Sequence, residues 1–173
     1  MKPFIGLKAV YYGGVLDAPL TKASFNAWLQ SAKKIENVHE GTWKYEQEDN
    51  TETEYINELT GEPYYIDEEK KGKRSMSITI GEYDVETKVA LAGGKAMADG
   101  IGWEAPEDIP VIEKCFAGMT KTGNYIVFPK ASIKSKADTQ NKNVGLGITA
   151  TAMATGVEDL KSEYHIDGSK LAV

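Results

Sequence analysis

The sequence predicts a mainly β fold: a β-sandwich or a partly rolled β-barrel, with one short packed helix at 84–92, a candidate N-terminal helix at 21–33 and a long protruding hairpin. Apolar and polar residues alternate along most of the chain, the pattern of strands whose two faces lie in different surroundings. Only two segments have helical spacing instead. No change in composition divides the 173 residues, so we expect a single domain over 1–173.

Rows of apolar residues at every second position predict the strands. The rows are Ile5, Leu7, Ala9 and Tyr11; Met76, Ile78 and Ile80; Val111, Cys115, Ala117 and Met119; and Val144, Leu146, Ile148, Ala150 and Ala152. The segment "YIVFPKASIK" (125–134) predicts a pair of strands with a bend at Pro129, because proline has no N–H to donate to a ladder. An Asp167-Gly168 turn is expected between two short strands.

Two segments have the spacing of helices. In "SFNAWLQSAKK" (24–34) the residues Phe25, Trp28, Leu29 and Ala32 share one helical face, and Thr21 or Ser24 can cap its start. In the second segment Asp84 is a suitable N-cap, and Val85, Val89 and Ala92 share a face. Gly93 falls where a C-terminal glycine cap belongs.

The glycines in "VETKVALAGGK" (85–95) raise the question of a phosphate-binding loop. Such a loop places its glycines before a helix, so that the free N–H groups at the helix N-terminus meet the anion. Here Gly93 and Gly94 follow the predicted helix. We therefore interpret them as a helix stop, and the sequence predicts no nucleotide site.

Acidic residues are concentrated in the middle of the chain, which has 20 basic and 26 acidic side chains and a net charge of −6. Ten carboxylates occur from Glu46 to Glu69 without a lysine or arginine: Glu46, Glu48, Asp49, Glu52, Glu54, Glu58, Glu62, Asp67, Glu68 and Glu69. Lys70, Lys71, Lys73 and Arg74 follow. The segment alternates about a tip at "EDNTE" (48–52) and turns at "TGEP" (60–63). A solvated hairpin explains this charge, and a partner surface is the alternative.

The sequence predicts no catalytic, cofactor or metal site. The two histidines, His39 and His165, are far apart, and the single Cys115 forms no disulfide framework or cysteine metal site. Carboxylates are abundant, but no catalytic signature accompanies them. The N-terminal segment is too short and too polar for a signal peptide or membrane span, so we expect a cytoplasmic protein.

Several segments together resemble a known family. They are "VHEGTWKYEQEDNTETEYINEL" (38–59), "GKRSMSITIGEYDVETKVALAGGK" (72–95), "GWEAP" (102–106), "NYIVFPKASIK" (124–134) and "VGLGITATAM" (144–153). In order and texture they resemble the major tail tube proteins of long-tailed bacteriophages, in the version seen in Bacteroides-type phages and prophages. The likeness covers about residues 40–153. The segment 13–38 departs from the commoner short versions of the family.

The resemblance implies a virion structural protein without enzymatic activity. Six copies would close into a hexameric ring by strand pairing, and stacked rings would form a tube through which DNA passes without tight binding during ejection. Other tail proteins would be further partners, no membrane would be bound, and the protein would be cytoplasmic during assembly and then part of the virion tail. The family's long hairpin, which reaches the adjacent ring, corresponds here to 46–73.

From this we expect subunit contacts at Glu46, Glu48, Asp49, Glu52, Glu54, Tyr55, Tyr64, Tyr65, Lys70, Lys71, Lys73 and Arg74. The acidic residues face either the channel, where they would repel DNA phosphates, or the basic residues 70–74 of an adjoining copy, where added salt would weaken stacking.

Two other functions stay open at this point. A carbohydrate- or protein-binding β-sandwich module would stack sugars on Trp43, Tyr45 or Tyr55. An intracellular enzyme with a pair of acidic residues would need two carboxylates in a cleft, with shifted pKa values.

Overall fold

The computed structural model describes residues 1–171, and antiparallel strands dominate it, with 43% of the residues in strands and 12% in helices. The strands are β1 (Ala9–Gly13), β2 (Lys33–Ile35), β3 (Lys44–Gln47), β4 (Thr51–Ile56), β5 (Pro63–Lys70), β6 (Arg74–Ile80), β7 (Lys95–Ala96), β8 (Trp103–Glu104), β9 (Ile112–Met119), β10 (Tyr125–Gln140), β11 (Asn143–Ala152) and β12 (Tyr164–Ile166). The helices are α1 (Lys22–Ser31) and α2 (Val85–Ala92). The mainly β class and both helices are confirmed.

Eight strands form the main sheet, in the order β2-β1-β9-β10-β11-β6-β3, with β12 paired to β10. The sheet curls so that its two halves face one another across a single core. Val10 and Phe116 from one half meet Met76, Ile78 and Ile148 from the other, and all five side chains are almost fully buried. Burial of this apolar surface is the main force that holds the roll closed.

The outer face of β9 and β10 carries a second apolar cluster, covered by α1. Phe25 and Trp28 of α1 pack with Cys115, Ala117 and Val127 of those strands. The helix begins where predicted, because a capping box joins its first residues: the Thr21 hydroxyl accepts from the Ser24 N–H at 3.1 Å, and the Ser24 hydroxyl accepts from the Thr21 N–H at 2.8 Å.

Helix α2 has the predicted ends but buries a different face. Asp84 accepts a hydrogen bond from the Thr87 N–H at 2.7 Å, and Gly93 ends the helix with a φ of 77°. The buried residues are Thr87 and Leu91 rather than the predicted Val85, Val89 and Ala92, which are only half-buried. Both sets satisfy helical spacing, and the position of the neighbouring sheet decides which set is covered.

Strand β10 is one strand of 16 residues, so the predicted pair of strands around Pro129 is wrong. The pairing with β9 shifts register between Phe128 and Ala131, which places a β-bulge at the proline. Because the bulge adds one residue, Phe128 and Ala131 both face the main core. The earlier half of β10 pairs with β12 and the later half with β11.

Several predicted apolar rows extend beyond the covered part of their strands. Ile5, Val111 and Val144 are exposed, because Ile5 and Val111 precede β1 and β9, and Val144 lies near the start of β11. The predicted second strand after Asp167 is instead a short 3-10 turn over Gly168–Lys170.

Candidate assembly surface

The chain between β3 and β6 leaves the main sheet as a separate two-stranded hairpin, β4–β5. Its strands pair with each other in their own sheet, and every residue of β5 is exposed. An isolated two-stranded hairpin is only marginally stable in water, because it covers little apolar surface. The predicted protruding hairpin is therefore present, and both of its faces meet solvent.

The hairpin turns at 57–62, which overlaps the predicted turn at 60–63, whereas the predicted tip at 48–52 does not lie at the turn. The Gly61 N–H donates to the Asn57 carbonyl at 2.7 Å, and Gly61 has a φ of 73°, a value that favours glycine. Residues 48–50 instead lie where β3 passes into β4, opposite Gly72. Polar residues fill strands and turn alike when both faces are solvated, so polarity alone does not mark the turn.

Apolar side chains are exposed along the hairpin. Tyr55 and Tyr65 are direct cross-strand partners with ring centres 5.8 Å apart, and the Tyr55 and Tyr64 rings are 6.4 Å apart. Ile66 is 48% exposed and Leu59, in the turn, is 95% exposed. Covering side chains of this type with a partner is favourable by several kcal/mol in total, at roughly 25 cal/mol per Å² of apolar surface removed from water.

Carboxylates surround these apolar side chains. Glu52 lies directly opposite Glu68 in the strand pairing, and like charges in that position destabilise a hairpin. Glu54 lies opposite Ile66, on the same face as this pair. The Thr53 hydroxyl donates to Glu69 Oε1 at 2.6 Å. The hairpin thus combines exposed apolar area with uncompensated negative charge.

The structure separates the remaining predicted contact residues into four places. Glu46 is in β3, where it forms a salt bridge with Lys44. Glu48, Asp49, Lys71 and Lys73 lie at the junction between hairpin and main sheet, where the Glu48 N–H donates to the Lys73 carbonyl at 2.8 Å. Lys70 ends β5 opposite Thr51. Arg74 begins β6 and forms an ion pair with another residue of its own chain.

The partner of Arg74 is Glu163, in a polar cluster at the base of the hairpin. Arg74 Nε lies 3.0 Å from Glu163 Oε2, while the Tyr45 hydroxyl donates to Glu163 Oε1 at 2.7 Å and His165 Nε2 lies 2.8 Å from the same oxygen. The Glu163 side chain is only 9% exposed. Burial, and after it the hydrogen bond to Glu163, raises the pKa of Tyr45 to about 12. This cluster was missed, because its members come from three distant segments.

Two of the three residues proposed to stack on sugars already contact other side chains of their own chain. Trp43 packs against the main core, where its ring fills the space beside Gly118, and Tyr45 donates to Glu163. Tyr55 is the member that stays exposed.

No constellation typical of catalysis was found within residues 1–171. In this part of the chain no group of three or more histidine, cysteine or acidic residues is placed to hold a metal ion. Burial raises the pKa of the Cys115 thiol, which disfavours the reactive thiolate.

No protein-family model matches the chain, and no curated protein matches it significantly. Among residues 1–171, neither helix has the length and apolar character needed to span a bilayer.

Proposed function

We propose that this chain is the structural subunit of a phage tail tube, which self-assembles into stacked hexameric rings around a DNA-conducting channel. The proposal rests on the sequence resemblance together with one structural observation. The β4–β5 hairpin exposes tyrosine, isoleucine and leucine side chains on a folded domain that has already buried a complete core elsewhere. Large exposed apolar patches of this type characterise contact surfaces.

Open strand edges support assembly by strand pairing. Within residues 1–171, β2 and β3 end the order of the main sheet, and each pairs with a neighbour on one side only. An edge strand offers its unpaired N–H and C=O groups to a strand of another molecule. Ring closure through identical neighbours would satisfy these groups.

The composition of the hairpin favours a contact between copies over a position in the channel. A surface that only repels DNA needs carboxylates, and exposed Tyr64 or Leu59 would add nothing to that repulsion. Exposed apolar side chains become favourable when a protein surface covers them. We therefore place the hairpin at a protein contact and leave DNA to meet another surface of the ring.

Negative-stain electron microscopy and static light scattering of the purified protein test this proposal. We expect rings or rods that grow with protein concentration, and shorter rods as salt rises from 50 mM to 500 mM, because charge pairs across the contact are screened. Rods of unchanged length would show that stacking does not depend on these charges. A protein that stays monomeric at millimolar concentration and low salt would contradict the tube function.

The exposed ring pair of Tyr55 and Tyr65 favours a carbohydrate-binding module as the second candidate. Glycan-array binding by a monomer, abolished by Tyr55→Ala and Tyr65→Ala, would support that function. Absence of glycan binding together with ring formation would support the tube.

A further inference from the structure

A groove runs between helix α2 and the later half of β10. It consists of two adjoining hollows of about 490 Å³ and 290 Å³, which share Ala92 and Ser135. Leu91, Ile133 and Leu146 give it an apolar lining. We call this feature the α2 groove.

One side of the α2 groove is an unfinished sheet edge. Strand β9 begins at Ile112, which pairs with Ile133, so from residue 134 onward the described pairing of β10 is with β11 alone. The backbone of 134–140 thus has a strand neighbour on one side. Apolar residues at the rim are uncovered: Val111 is 89% and Val144 is 61% exposed.

Lysines border the α2 groove. Lys88, Lys134 and Lys136 are among its lining residues, and Lys136 also borders the adjoining outer surface of β10 that carries Asp138. Lys88 lies 4.0 Å from the centre of the Trp103 ring, a cation–π contact that holds the ammonium group in place. Within residues 1–171 none of these three lysines forms a salt bridge.

We propose that the α2 groove receives the β4–β5 hairpin of a second copy of this chain. The inference rests on the proposed self-assembly and names the surface that completes it. The hairpin turn presents Leu59 between Glu58 and Glu62, that is, an apolar side chain flanked by two carboxylates. The groove offers the complement, an apolar floor beside lysines. Because Leu59 is 95% exposed and Val111 is 89% exposed, neither surface is filled by its own chain.

Charge reversal on the two surfaces tests the proposal in the full-length protein. The hairpin variant carries Glu58→Lys and Glu62→Lys, and the groove variant carries Lys134→Glu and Lys136→Glu. Sedimentation velocity over a concentration series measures self-association. We expect each variant alone to need at least about tenfold more protein to assemble, because like charges then face each other across the contact. An equimolar mixture should assemble like the wild type, since every hairpin again finds a groove of opposite charge.

The control matched to the groove variant carries Lys8→Glu and Lys161→Glu, which change the net charge by the same amount and sign but lie outside the groove. It should assemble like the wild type. Thermal melts must show that all variants are folded.

The outcomes separate the inference from the proposed function. If the wild type assembles and both single-surface variants assemble equally well, the hairpin does not enter this groove, while the tube function stands. If both variants lose assembly but their mixture does not regain it, the two surfaces do not meet and the inference fails. If the wild type itself never associates, the proposed function and the inference fall together.

Discussion

The main sheet and the β4–β5 hairpin are built from similar antiparallel pairs but differ in what covers them. In the main sheet, residues such as Met76 and Phe116 are fully buried between the two halves of the roll. In the hairpin, Tyr64 and Leu59 have no comparable cover. One region therefore obtains its stability from its own chain, whereas the proposed contact with a second copy would stabilise the other.

The largest expected difference concerns a single large side chain in each region. Phe116→Ala should lower the free energy of unfolding by about 3–5 kcal/mol, because it removes a fully buried ring and leaves a cavity. Leu59→Ala should change it by less than about 0.5 kcal/mol. Urea denaturation of the monomer measures both, and similar losses in the two variants would contradict the contrast.

The second-largest expected change in stability comes from the close approach of Trp43 to β9. A Cβ atom at Gly118 would lie 2.8 Å from the Trp43 ring, so Gly118→Ala should cost about 1–3 kcal/mol through overpacking. Gly14→Ala is the matched control, because a Cβ there meets nothing within 4 Å. Equal melting temperatures for the two variants would show that Trp43 moves aside freely.

The polar cluster at the base of the hairpin ties strands β3 and β6, between which the hairpin leaves the main sheet, to the segment around β12. Glu163→Gln should cost about 1–3 kcal/mol, because Arg74 loses the charge of its partner carboxylate, whose side chain is only 9% exposed. The exposed Glu158→Gln is the control and should be neutral within about 0.5 kcal/mol. If the Glu163→Gln and Glu158→Gln variants melt at the same temperature, the cluster does not stabilise this end of the main sheet.

The smallest effect concerns the N-cap of α2. Hydrogen bonds from Thr87, followed by one from Lys33, lower the pKa of Asp84 to about 2, below its ordinary value of 3.8. Its charge therefore stabilises the fold above about pH 4, and this contribution is lost as the pH falls through 2. Asp84→Asn keeps a capping oxygen and should cost about 0.3–1 kcal/mol at pH 7. Chemical denaturation should show this gap closing toward pH 2, and a constant gap would argue against it.

The sequence predicted those features that local patterns determine. Apolar rows identify β6 and β11, Thr21 and Asp84 mark the helix starts, and the polar, acidic run predicts a hairpin away from the core. The Pro129 bulge was missed, because a proline in a strand signals a bend and a bulge equally well. The buried face of α2 was also missed, since it depends on where the sheet lies.

The candidate site was less predictable than the fold. Tyr55, Tyr64 and Tyr65 were named correctly as hairpin residues, but the Glu163 cluster and the lysines of the α2 groove were not. Lys88 and Lys136 come from a helix and a strand more than 40 residues apart in the sequence. Only the folded chain brings them together, so no local spacing indicates a shared surface.

Shortening the hairpin tests the central claim most directly. Deleting 51–71 joins Asn50 to Gly72 and leaves a three-residue loop with a glycine at its end, between Glu48 and Lys73, which already share a hydrogen bond. Thermal unfolding and light scattering should be measured on the same sample. We expect a melting temperature within about 5 °C of the full-length monomer, because the main core is untouched, together with complete loss of self-association. Unchanged assembly by the shortened chain, or failure of its main sheet to fold, would contradict the account.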